Sequence, residues 1–301
     1  MKALLFSGQG AQKVGMGKSL YDNSASAKAL YDKAETTLGI EFKKICFEGP
    51  ENLLTETRHC QPALYVQGYA IAQILRERGK LEGLKAALGL SLGELTAYAF
   101  AGVWDFETGL KIVAERGRLM QQACDASKGG MAAVVGGSID DVRKLAAAFD
   151  LDIANCNCPG QTVLSGDYDR VQKAAAEAKN HGAFKLVKPL VVAGAYHSRL
   201  MEPARAAFEK FLAPVEFHTP SITVLTNTTG KVISEPESLK HALVQQVVST
   251  VLWEDCLRSA AAAGCEEFYE CGPGGILAGH LKRTVPAAKC VSINEFAEFP
   301  A

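Results

Sequence analysis

The chain has 301 residues, 48% hydrophobic and 22% charged, which is enough apolar matter for one large domain, or a large and a small one. Thirty-two Lys and Arg stand against 33 Asp and Glu, a net charge of −1. No global basic field favours nucleic acid, and no lysine-rich tail suggests a membrane surface. Nine scattered cysteines, an odd count, fit reduced thiols in a cytoplasmic protein better than a disulfide framework. Cys156 and Cys158 form C-x-C without a second pair at zinc-like spacing, so no metal is expected. No run approaches membrane-spanning length, and no signal peptide is expected before the first strand.

Residues 2–7 read as a strand, and Pro62 to Arg78 carries apolar residues at helical spacing. Residues 85–90 form a second apolar strand, followed by helices over 91–101 and 106–123. This rhythm predicts an α/β fold with a largely parallel sheet. Ser127-Lys128-Gly129-Gly130 then breaks it. Strand 131–136, helix 138–149, strands 151–156 and 161–166, helix 167–182 and strand 183–188 follow. That βαββαβ order predicts a ferredoxin-like unit. Pro189 to Gly194 returns the chain to the first unit. Strands near 221–226 and 266–270, with helices near 198–212, 236–248, 254–263 and 275–284, complete it. The expected division is a large domain from 1–126 and 190–301, with a small domain over 127–189 inserted in it. The cleft between them is the expected binding site.

Gly89-Leu90-Ser91-Leu92-Gly93 stands where the second strand runs into a helix. A G-x-S-x-G at such a corner is the pattern of a nucleophile elbow, with the serine oxygen exposed at a strained turn. The same residues also suit a helix N-cap serine between glycines. Ser7-Gly8-Gln9-Gly10-Ala11-Gln12 fits neither G-x-G-x-x-G, because Lys13 fills the third glycine position, nor a P-loop ending at Gly17-Lys18-Ser19. What remains is a loop able to bring backbone N–H groups close to a substrate, as an oxyanion hole requires. Its partner would be the N–H of Leu92, the residue after the serine.

A serine nucleophile needs a base. Of six histidines, His197 is the best candidate, set among small residues in Ala193-Gly194-Ala195-Tyr196-His197-Ser198 with a helix beginning just after. Arg116 lies in a predicted helix beside Gly117, and a mid-helix glycine hints at close packing or close ligand approach. Its guanidinium could hold a carboxylate through two parallel hydrogen bonds. Residue chemistry alone favours an ordinary surface ion pair with Glu115 or a neighbour.

These segments together resemble the malonyl-CoA:acyl-carrier-protein transacylases of type II fatty acid synthesis, and more loosely the acyltransferase domains of polyketide synthases. The resemblance runs from Leu5 to about Val291. Its pieces are Gly8 to Gln12, Gln61-Pro62-Ala63, Ser91 to Glu94, Arg116 to Gln121, Asn155 to Gln161, Gly194 to Ser198, and Gly272-Pro273-Gly274. It implies an α/β-hydrolase-like core with a ferredoxin-like insertion. It also implies that Ser91 is acylated by malonyl-CoA, with His197 as its base, and that Gln9 and Leu92 give N–H groups to the oxyanion. Arg116 would pair with the malonyl carboxylate and Gln61 would line the same pocket. The histidine would be oriented by a backbone carbonyl, with no acid required. The implied partners are acyl carrier protein and a CoA thioester, in a monomer with no permanently bound cofactor. Lys188 and Arg199 are candidates for docking the carrier, equally readable as a solvated charged face.

Two positions depart from the family pattern. Leu90 replaces the usual histidine before the nucleophile, and Tyr196 replaces the usual Phe before the catalytic histidine. Both would line the acyl site. A buried Tyr196 hydroxyl would need a partner. The rival functions are an acyl hydrolase acting on carrier proteins, which would not need a carboxylate clamp, and a non-catalytic docking module.

Overall fold

The computed structural model describes residues 1–300. Among these residues nine strands form two sheets: β1 (Lys2–Phe6), β2 (Leu84–Gly89), β3 (Gly129–Gly136), β4 (Asp152–Cys158), β5 (Gln161–Asp167), β6 (Phe184–Pro189), β7 (Thr223–Val224), β8 (Glu267–Cys271) and β9 (Lys289–Ile293). The helices in chain order are α1 (Lys18–Asn23), α2 (Ala25–Leu38), α3 (Phe42–Glu48), α4 (Glu51–Thr55), α5 (Thr57–Glu77), α6 (Leu92–Phe100) and α7 (Phe106–Asp125). They continue with α8 (Ile139–Ala148), α9 (Tyr168–Glu177), α10 (Glu202–Leu212), α11 (Pro236–Gln246), α12 (Trp253–Ala262) and α13 (Ile276–Thr284).

The first sheet has the order β7-β2-β1-β8-β9, and every pairing in it is parallel. Parallel strands are buried on both faces and so read as continuous apolar runs, as Ala3 to Phe6 does. Phe6 at the end of β1 is level with Gly89 on one side and Cys271 on the other. The loops that begin at Ser7, Leu90 and Gly272 therefore leave the sheet side by side. Ligands in open α/β sheets bind outside such carboxyl ends.

The second sheet has the order β4-β5-β3-β6 and is antiparallel throughout. Its side chains alternate between faces. Ala132, Val134 and Leu164 pack under α8 and α9, whereas Met131 and Val163 join the main core. Main-chain bonds stitch it to the rest of the chain beyond α11: Cys156 N–H donates to the Val251 carbonyl at 2.9 Å, and Val251 N–H to the Ala154 carbonyl at 2.8 Å.

Several boundaries differ from expectation. Helix α5 begins at Thr57, five residues before Pro62, which sits inside it. The strand expected over 221–226 shrinks to Thr223–Val224, because the chain then turns to place Asn227 in the interior. Helices α1 to α4 and strand β9 were not anticipated. The stretch from 167 to 182 is helical only to Glu177, with a short 3₁₀ turn over Ala178–Asn180.

Candidate active site

The elbow is built by contacts that only glycine permits. A Cβ on Gly89 would stand 2.0 Å from the Gly93 carbonyl carbon, and one on Gly93 would stand 2.0 Å from the Phe6 carbonyl oxygen. The turn thus folds flat against the end of β1. Ser91 takes φ 53° and ψ −100°, a region costing about 1–3 kcal/mol for a residue with a side chain. Asn227 holds the turn from behind, accepting from Ser91 N–H at 2.7 Å and donating to the Gly89 carbonyl at 2.9 Å. Ser91 is therefore an elbow residue, and its side chain makes no cap bond to α6.

The Ser91 hydroxyl donates to His197 Nε2 at 2.7 Å. His197 Nδ1–H donates to the Gln246 main-chain carbonyl at 2.8 Å. Gln246 is the last residue of α11, where helix carbonyls lack intrahelical partners. Burial, joined by the nearby Arg116 charge, pushes the His197 imidazole down to about 4. It is neutral at pH 7 and has its Nε2 lone pair on the serine.

Arg116 is not the surface residue that its chemistry alone suggested. It is 1% exposed, and Glu115 pairs with Arg118 instead. Helix α7 carries a buried stripe through Val113, Arg116, Gly117 and Met120, so its period turns Arg116 inward. Gly117 brings that helix close to α5, since a Cβ there would meet the Thr57 carbonyl oxygen at 2.8 Å. The guanidinium donates to Gln61 Oε1 at 2.8 Å, Gln246 Oε1 at 2.7 Å and Ser91 Oγ at 3.1 Å. Its buried Nε–H finds no acceptor among the described residues. Burial lowers it to about 10, so it stays charged at pH 7.

The loop after β1 lies against the elbow, where a Cβ on Gly8 would meet the Leu90 carbonyl oxygen at 2.5 Å. That approach brings the loop carrying Gln9 beside the elbow that carries Leu92. Neither backbone N–H is paired among the described residues. The Tyr196 hydroxyl has the partners its burial demands: Thr57 Oγ1 at 2.5 Å, and Gln9 Nε2, which donates to it at 3.1 Å. Leu90 is half-buried and leans on the apolar cluster around Leu88 and Trp253. Arg199 is held by Asp150 and Asp152, whereas Lys188 is exposed on β6 and meets no carboxylate among the described residues.

Sequence reasoning did not name Thr57, Asn227 or Gln246, and it assigned Glu94 no role. Glu94 follows the serine by one helical turn, a signal available in the motif itself. Gln246 and Asn227 come from distant loops and helix ends with no pattern to mark them. Among the described residues no group of three or more metal-ligating side chains gathers, and no helix is long and apolar enough to cross a membrane.

The acyl transferase domain family matches residues 3–297. The malonyl CoA-acyl carrier protein transacylase of Bacillus subtilis (strain 168) is 34% identical over 298 residues, covering 97% of this chain and 93% of its own. A polyketide biosynthesis malonyl CoA-acyl carrier protein transacylase of the same organism, PksC, is 40% identical over 286 residues, covering 94% of this chain and 96% of its own. The crystal structure of acyl-carrier-protein-S-malonyltransferase from Bartonella henselae superposes with TM-score 0.94 at 32% identity, covering 99% of this chain and 96% of that one. A malonyl-transacylase bound to its type II polyketide acyl-carrier protein superposes with TM-score 0.92 at 31% identity, over 99% and 97% of the two chains. A serine, a neutral histidine and a buried arginine converge at the carboxyl end of the parallel sheet, and the chain belongs to the acyl transferase domain family.

Proposed function

We propose that this protein moves the malonyl group from malonyl-CoA to the phosphopantetheine thiol of acyl carrier protein, through an acyl-serine intermediate. The observation that carries the proposal is the contact of Arg116 with Ser91 Oγ at 3.1 Å, a fixed cation beside a primed nucleophile.

His197 Nε2 takes the proton of Ser91 as its oxygen attacks the thioester carbonyl. The developing oxyanion is held by the N–H groups of Gln9 and Leu92, each such donor worth about 3 kcal/mol in the transition state. The tetrahedral species collapses, the C–S bond breaks, and His197 gives its proton to the departing CoA thiolate. The carrier's thiol then enters, loses its proton to His197, and attacks the malonyl ester. Ser91 leaves and regains the proton. Arg116 binds the free malonyl carboxylate, its Nε–H and fork directed by Gln61 and Gln246. That grip keeps the acyl carbonyl in the hole and separates this reading from an acyl hydrolase.

The fold is read as an α/β-hydrolase-like core carrying a ferredoxin-like insertion over 127–189, with the remainder in the large domain. The strand order β4-β5-β3-β6 supports that reading of the insertion. Of the two docking candidates, Lys188 is the better supported, since the Arg199 charge is already engaged.

Intact-mass measurement after mixing with malonyl-CoA tests the proposal. A malonyl adduct should form, vanish on adding carrier protein with a free phosphopantetheine thiol, and never form on Ser91→Ala. Release of free malonate in place of malonyl-carrier would establish a hydrolase instead.

A further inference from the structure

Two charges are buried behind the nucleophile without touching. Glu94, on the first turn of α6, is fully buried, and Arg116 is 1% exposed. An isolated carboxylate in such a place is costly unless donors surround it. Glu94 has three: the Tyr98 hydroxyl at 2.5 Å on one oxygen, with Asn227 N–H at 2.9 Å and Gln246 Nε2 at 2.8 Å on the other. Burial raises its carboxyl above the ordinary range, a shift that these donors and the Arg116 charge offset only in part.

The Gln246 amide stands between the two charges. Its Nε2 donates to Glu94 and to the Ser91 carbonyl at 3.0 Å, while its Oε1 accepts from Arg116. A carboxylate can only accept and a guanidinium can only donate. A half-turn of the amide would set N–H against guanidinium and oxygen against carboxylate. With Glu94 charged, only one orientation is therefore available, and that orientation presents Oε1 to Arg116.

We infer that Glu94 is a positioning residue for acyl selection: its negative charge fixes the Gln246 amide, which holds Arg116 in place for the carboxylate of the incoming acyl group. The inference rests on the reading that Arg116 binds that carboxylate. A neutral amide at position 94 would still offer one oxygen to Asn227 N–H and Gln246 Nε2, but without the charge that bond weakens, so the Gln246 amide is held less firmly and Arg116 loses part of an anchor.

The test is the ratio of kcat/KM for malonyl-CoA to that for acetyl-CoA, measured by transfer to carrier protein. Glu94→Gln, nearly isosteric, should lower the ratio at least tenfold, mainly through KM for malonyl-CoA, and leave acetyl transfer within about threefold. Glu94→Asp, which keeps the charge, should recover part of the ratio. In an Arg116→Ala background, Glu94→Gln should change the ratio by less than twofold, since the arginine it positions is gone. A Glu94→Gln ratio within twofold of wild type overturns the inference, as does an equal loss for both substrates. If Arg116→Ala alone leaves the ratio intact, the reading of the arginine has failed and the inference falls with it. If Arg116→Ala lowers the ratio and Glu94→Gln does not, only the inference fails. Should Glu94→Gln not fold, Gln246→Met keeps the main-chain carbonyl for His197 and removes only the amide. That variant must then lower the ratio at least tenfold, or the inference is wrong.

Discussion

His197 Nδ1 and the main-chain oxygen of Gln246 lie 2.8 Å apart, so the imidazole is oriented by the end of a helix and not by a carboxylate. The bond fixes the tautomer, with the proton on Nδ1 and the lone pair on Nε2. The partial negative charge at a helix C-terminus also favours the imidazolium that forms during attack.

One consequence is a pH profile. On the proposed mechanism the neutral imidazole is the active form, and burial with the Arg116 charge lowers its pKa to about 4. Activity should therefore be lost only as pH falls towards 4. Between pH 5.5 and 7.5 the rate of malonyl-enzyme formation should be flat. Rapid-quench measurement of acylation across pH 4–8 checks this, and an acid limb centred at 6.5 would contradict it.

Arg116→Ala removes the cation from a buried pocket. Losing one member of such a pair costs about 2–5 kcal/mol, and only substrates with the carboxylate pay it. Malonyl transfer should fall by about 30-fold or more, while acetyl transfer holds or rises. Comparing the two specificity constants cancels any general damage to the Ser91–His197 pair.

The Tyr196 hydroxyl joins Thr57 to the Gln9 side chain, and thus braces the loop expected to supply one oxyanion donor. Tyr196→Phe should lower kcat by about threefold to tenfold, for malonyl and acetyl alike, with KM little changed. The loss of the hydroxyl's two hydrogen bonds should also cost about 1–3 kcal/mol of stability. Steady-state kinetics with both donors, alongside thermal unfolding, separates the two effects.

Leu90 packs on apolar neighbours and points no polar group at Ser91. Leu90→His should therefore change the transfer rate by less than about tenfold, equivalent to 1.4 kcal/mol. A far larger gain in activity would mean that the elbow of this chain is incomplete without the imidazole.

The legible parts of this protein were those where backbone geometry demands particular residues. Gly89 and Gly93 announce the elbow because nothing larger fits where Gly89 lies on Gly93 and Gly93 on Phe6. Gly129 and Gly130, opening β3, marked the change from parallel to antiparallel sheet. The α1 to α4 region was opaque because its helices are short, the longest being the 14 residues of α2, and their faces are set by packing on α5 and α7. Pro62 misled in a simple way: proline reads as a helix start, yet here the helix begins at Thr57. Arg116 was hidden by its charge. The apolar period of α7 points it inward, but a buried guanidinium is credible only once Gln61, Ser91 and Gln246 are seen around it.

Ser91 and His197 share one backbone property: both hold positive φ, 53° and 56°, with full side chains attached. The resting protein is thus less stable than its own contacts would allow, and apart from Asp150 at φ 51° the deficit sits at the two residues proposed to perform the chemistry. Ser91→Gly should release it at the elbow. That variant should carry no acyl group at all and still unfold at a higher temperature than wild type, by an amount matching about 1 kcal/mol or more. Ser91→Ala, which keeps the Cβ and hence the strained turn, should be equally inactive without that gain. Calorimetry on the pair would measure what the fold gives up to hold a serine at the tip of a turn.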